Sequence, residues 1–111
     1  MPDSESFNNL KAQYFFIDTH FDDLMARCQT EQDKQQLRDT YRDARGNFDK
    51  ARTIAFQEDD ALVQDLNTQL KQAQKKLESM IKGLDKIGAF ISELATAVKV
   101  GTKLAELAAG V

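Results

Sequence analysis

Along three stretches of this chain an apolar or small residue returns every three, then four, positions. The longest run is Val63, Leu66, Leu70, Ala73, Leu77, Met80, Leu84, Ile87, Ile91, Leu94, Val98, Gly101, Ala105 and Ala108. Such alternation returns side chains to one stripe of a helix, so the run predicts a coiled-coil-like seam over about residues 60–109. Phe7, Leu10, Tyr14, Ile17, Phe21, Leu24 and Cys28 predict a first helix over about residues 5–29. Leu37, Tyr41, Ala44, Phe48, Ala51 and Ala55 predict a second over about residues 31–56, its stripe thinned by alanines.

Start signals agree with these spans. Ser4 or Ser6 is placed to cap the first helix, and Thr30 with Asp33 resembles a capping box for the second. Glu58, Asp59 and Asp60 put negative charge where the third helix begins, and either aspartate suits the cap. Gly46 lies inside the second helix at a cost of ~1 kcal/mol against alanine. The stripe keeps its phase across that glycine, so a kink is expected there rather than a stop.

The expected fold is all-α: one domain spanning residues 1–111, an antiparallel helical bundle with coiled-coil-like packing. Short connections near Gln29 and Glu58 make successive helices antiparallel neighbours. The third helix poses a mismatch of length. At 1.5 Å per residue the first two are ~36 Å long and an unbroken third is ~75 Å. The unbroken phase of the seam favours three helices, the long third one continuous or kinked at Gly83–Gly88. Matched lengths and the two glycines favour the alternative, a reversal there that makes a four-helix bundle.

Composition narrows the classes. Charged residues are 30% of the chain, with one proline and no tryptophan, which suits amphipathic helices better than a sheet. The net charge of −3 argues for no polyanion partner. It is unevenly spread: residues 1–60 hold 13 acids and 8 bases, and residues 61–111 hold 5 acids and 7 bases. Such halves would attract each other on folding, and weak attraction of the basic half to an anionic surface would give the same pattern. Cys28 is the lone cysteine and sits on an apolar stripe, so it reads as a buried reduced thiol. The N-terminus has neither a basic nor an apolar region of the secretory kind, and no apolar run approaches membrane-spanning length. The expected compartment is the cytoplasm, with export that needs no cleaved signal left open.

Candidate chemistry is thin. There is no glycine-rich phosphate loop, nucleophile elbow or metal-ligand cluster, so no catalytic, cofactor-binding or metal residue is assigned and no cofactor is expected. From Leu84 onward the apolar arc covers about half the helix circumference, wider than one neighbour requires. That predicts contact with two elements at once, in a bundle core or an oligomer. Small residues at Ala97, Gly101, Ala105 and Ala109 permit close approach. Phe90, Leu94, Val98, Gly101, Leu104 and Ala105 are accordingly the candidates for self-association.

Phe15 and Phe16 lie off the first stripe and His20 follows Phe16 by one turn; the aromatic pair suits covering a second helix of the bundle, and the alternative makes Phe15, Phe16 and His20 a candidate partner patch. Lys34, Arg38, Arg42, Arg45 and Arg52 recur along the second helix, but Asp39, Asp43 and Asp49 interleave with them. The pattern favours a solvated or protein-facing surface over nucleic acid. The size is that of small secreted helical hairpins, but their Trp-x-Gly turn is absent, and no family is identified.

The functional expectation is a non-enzymatic protein–protein interaction or assembly module, self-associating through its C-terminal helix. One rival is a small cytoplasmic inhibitor of the antitoxin or immunity type, binding a basic partner through its acidic half. Another is a membrane-active protein whose C-terminal amphipathic helix lies in an interface. A homo-oligomer or a protein partner ranks first, a membrane surface behind, and nucleic acid last.

Overall fold

The computed structural model describes residues 4–53 and 56–109. Among the described residues there are four helices of nearly equal length: α1 (Glu5–Arg27), α2 (Glu31–Thr53), α3 (Ala61–Lys82) and α4 (Ile87–Ala109). Ile54 and Ala55, at the expected end of the second helix, lie outside the described residues. So do the side chains of Ala108 and Ala109 at the end of the seam.

The helices begin where the sequence places their caps. Ser4 Oγ accepts from the Phe7 amide at 3.1 Å, and Thr30 Oγ1 accepts from the Asp33 amide at 3.0 Å. Asp60 Oδ1 accepts from the amides of Leu62 (2.9 Å) and Val63 (3.1 Å). Each bond satisfies a donor that the first helical turn leaves orphaned. Helix α2 runs through Gly46 without stopping.

The continuous third helix is corrected to a hairpin, and the four-helix alternative with its reversal at Gly83–Gly88 is the arrangement found. The chain leaves helix at Gly83, whose amide closes a tight final turn on Met80 O at 3.3 Å, and resumes at Ile87. Length decides the matter. Four helices of 22 or 23 residues cover one another along a body of 42 × 22 × 21 Å. A continuous helix would have left half of its apolar seam in water. The phase survives because the connection adds four residues, a number the 3-4 pattern already contains. Leu84 in that connection still packs onto the core.

Around the bundle the order is α1, α2, α4, α3. Antiparallel pairs α1–α2 and α3–α4 lie side by side, so α2 runs parallel to α4. Two approaches fix that register: Asn47 Nδ2 donates to Thr102 Oγ1, and Gly88 faces Asp33, each pair 55 positions apart. Among the described residues α2 and α3 do not touch, so they are not the neighbours that the short link suggested. The link crosses the bundle end to the diagonal corner. Seven residues reach ~23 Å extended, while corners of a bundle with ~10 Å helix spacing lie ~14 Å apart, so the crossing needs no strain.

Two apolar clusters fill the interior. One is centred on Leu10, Leu66, Leu70 and Leu104, the other on Ile17, Leu24, Leu37, Phe90 and Leu94. Between them lies a polar layer. Gln13 Nε2 donates to Ala97 O at 3.0 Å, beside the Asn47–Thr102 bond at 3.0 Å. Gly101 completes it: a Cβ there would come within 2.6 Å of Gln13 Oε1 and 3.1 Å of Leu10 Cδ2. The missing side chain is what lets α4 approach α1 across the middle.

A second polar group clasps the crossing link to the start of α1. The Glu58 carboxylate accepts from Ser4 Oγ (2.6 Å), the Ser6 amide (2.9 Å) and Ser6 Oγ (2.7 Å). Asn67 Nδ2 donates to Ser6 Oγ at 2.9 Å, and Asn9 Nδ2 to Asn67 Oδ1 at 2.8 Å. Burial disfavours the charged carboxylate, but these bonds outweigh it and hold Glu58 below the ordinary carboxylate range.

Candidate functional site

Phe90, Leu94, Val98, Gly101, Leu104 and Ala105 are all buried within the single chain. The wide apolar arc of α4 does meet two helices at once, and they are the chain's own α2 and α3. The surface expected to join copies is the inner wall of the bundle. Association through those six side chains would require the bundle to open.

The partner patch divides. Phe16 and His20 meet as their spacing requires, with ring centroids 4.9 Å apart, but Phe16 then leans toward Phe90 at 6.4 Å and packs against the core. Phe15, one residue earlier and so 100° round the helix, lies on the α2 side and is 46% exposed. Among the described residues only Leu62 is another large apolar side chain so open to solvent.

On that side α1 and α2 build a feature that stripe-reading alone does not reveal. The stripes predicted Phe7, Tyr14 and Phe21 of α1, and Tyr41 and Phe48 of α2, as core-facing. Each is half-buried, Phe7, Tyr14, Phe21 and Tyr41 packing against the edge of the core, while the preceding polar residues Ser6, Gln13, Thr40 and Asn47 are buried. Both helices are rotated so that their polar neighbours turn inward and their rings turn into the outer groove. Small polar side chains admit the close approach of α4 and α3. Large rings close the groove edge, where a phenol keeps access to water.

The rings form one continuous row. Phe7 meets Phe48 at 5.8 Å, Phe48 meets Tyr14 at 5.4 Å, Tyr14 meets Tyr41 at 5.8 Å, and Tyr41 meets Phe21 at 4.6 Å. All four contacts are stacked. Phe15 stands outside the row, tilted against Tyr14 and Phe48. The Tyr41 hydroxyl donates to Asp18 on α1, and that bond, with burial, raises Tyr41 well above the ordinary tyrosine range.

Cations line this row. Lys11 Nζ lies 5.7 Å from the Phe15 ring centre and 6.0 Å from that of Phe7, and the Arg52 guanidinium lies 5.5 Å from Phe48. Arg38 and Arg45 each stand one helical turn from Tyr41 on the same flank of α2. Among the described residues no carboxylate forms an ion pair with Lys11, Arg38, Arg45 or Arg52. Arg42, on the far flank of α2, is paired with both Asp39 (3.5 Å) and Asp43 (3.7 Å). Asp39 and Asp43 thus stand with Arg42 on one flank, while Arg38, Arg45 and Arg52 share the α1 flank with a single acid, Asp49, one turn from Arg45 and from Arg52.

Cys28 is buried and unbonded, and burial, with Asp33 adding to it, pushes its thiol up. Among the described residues no group of three potential metal ligands occurs, and no helix is long and apolar enough to cross a membrane. The chain matches no protein-family model, and neither a curated protein nor a solved structure is significantly similar to it.

Proposed function

We propose that this chain is a non-enzymatic protein–protein interaction module that engages its partner through the outer α1–α2 face. The observation that carries the reading is the row of five rings bordered by four cations that, among the described residues, form no ion pair, with the exposed ring of Phe15 projecting beside it. Interface centres are enriched in aromatic residues and arginine, and a projecting ring supplies an anchor at low conformational cost. The apolar surface of the C-terminal helix is spent on the core, which moves the place of association from the seam to the outside.

Retention of a partner from cell extract tests this. Immobilised full-length chain would be compared with a Phe15→Asp/Arg45→Glu double variant and with a Lys99→Glu/Lys103→Glu control on the outer side of α4. The expected result is one partner held by the wild type and the control and lost from the double variant. Retention by the double variant, or loss only from the control, rejects the α1–α2 face.

A further inference from the structure

We infer that the α1–α2 groove receives an amphipathic α-helix of another protein, its acidic residues ranged along the α2 bank. This rests on the reading of that face as the interaction surface. From Phe7 to Phe21 the groove is ~21 Å long, about four helical turns of a partner.

The spacing of the cations selects the partner's conformation. Arg38, Arg45 and Arg52 are seven residues apart on α2, which repeats their positions every ~10.5 Å along one flank. Acids seven residues apart on a partner helix match that repeat on one side. In an extended segment the residues ~10 Å apart are three positions apart, and they point to opposite faces. Helix-in-groove recognition uses apolar anchors at i, i+3, i+4 and i+7, which the Phe15 projection and the ring edges suit.

The opposite bank differs in sign. Lys11 lies near the Phe7 end of α1, while Asp18 and Asp22 follow toward the Phe21 end. An acidic flank therefore fits against the three arginines of α2, which outnumber Asp49 among them, and is rejected along most of α1, so charge sets which way the helix faces.

Two other occupants fit less well. A single-stranded nucleic acid needs open ring faces for base stacking, but here the faces of Phe7, Phe48, Tyr14, Tyr41 and Phe21 are stacked on one another. Asp18 and Asp22 also stand within the groove. A second copy of the chain has no apolar stripe to offer, since Phe15 and Leu62 are its only large exposed apolar side chains among the described residues.

The test titrates the isotopically labelled full chain at low salt and follows its amide resonances. The probes are a synthetic helical peptide of about 18 residues with a leucine face and glutamates seven apart on one flank, the same peptide with lysines for glutamates, and a single-stranded oligodeoxynucleotide. The glutamate peptide is expected to shift residues of the groove and to bind about tenfold or more tightly than the lysine peptide, with the difference shrinking as salt rises. An Arg45→Glu/Arg52→Glu variant, shown to be folded by its own spectrum, is expected to reverse that order.

Equal affinity for the two peptides at the groove keeps the face as an interaction surface and overturns the acidic assignment. Oligonucleotide binding at the groove without peptide binding overturns the protein partner. A groove left silent by all three probes overturns the inference alone; the proposed function is rejected separately, by retention of the partner on the Phe15→Asp/Arg45→Glu variant or its loss only from the control.

Discussion

Gly101 and Gly46 are both helical glycines, and their surroundings make them opposites. A Cβ at Gly101 meets Gln13 Oε1 and Leu10 Cδ2, and Gln13 cannot swing clear without giving up its bond to Ala97 O. At Gly46 nothing lies within 4 Å of such a Cβ. Gly101→Ala is expected to lower stability by about 1–3 kcal/mol through overpacking. Gly46→Ala is expected to raise it by about 0.5–1 kcal/mol, by restricting the unfolded chain. Urea unfolding of the two variants checks both signs. Glu58 belongs to this scale too. Its folded-state value is lowered, so its stabilisation is present above the ordinary 4.5 and is lost as pH falls through the lowered value. Glu58→Gln should therefore cost about 1–2 kcal/mol near neutrality, with the gap to wild type closing in acid, as unfolding curves across pH would record. Equal gaps at pH 7 and in strong acid would remove the ionised clasp from the account. The sequence showed the small residues around Gly101 as a place of close approach. It did not show Ser6, Asn67 and Glu58 as a cluster, because they come from three segments that only the crossing link brings together.

At the scale of elements, the three start signals that the sequence offered are the caps of α1, α2 and α3. Such caps are local, closing within three residues, and so they are legible without a fold. Asp60→Ala is expected to cost about 1 kcal/mol and to speed amide exchange in the first turn of α3 before any other helix start, which hydrogen-exchange measurements would resolve. Gly83 and Gly88 marked where α3 could end, but the seam did not tell whether it does. A seam tells which side of a helix is apolar, and an apolar residue is needed at the mouth of a hairpin as much as in a continuous helix. Met80, Leu84 and Ile87 satisfy both arrangements, so the reversal between them left no mark in the phase.

For the whole molecule, the consequence is that α4 is a wall of a closed bundle. The full chain is expected to show the mass of a single 12.5 kDa copy in light scattering. A version ending at Lys82 is expected to lose cooperative unfolding, because it strips the cover from the buried residues of α2 and α3 at once. A compact, cooperatively melting truncation would instead return α4 to the role of a detachable arm. The all-helical class, the amphipathic stripes, three of the helix starts and the buried Cys28 followed from the sequence by itself, since periodicity and capping are properties of neighbours along the chain. Tertiary structure decided whether the third helix reverses at its two glycines, which corner it occupies and which half of each stripe faces inward. Those choices depend on the surface offered by helices distant in sequence. The candidate site is their product: rings that read as core sit at its edge and line the outer α1–α2 face once Gln13 and Asn47 take the interior beside Gly101.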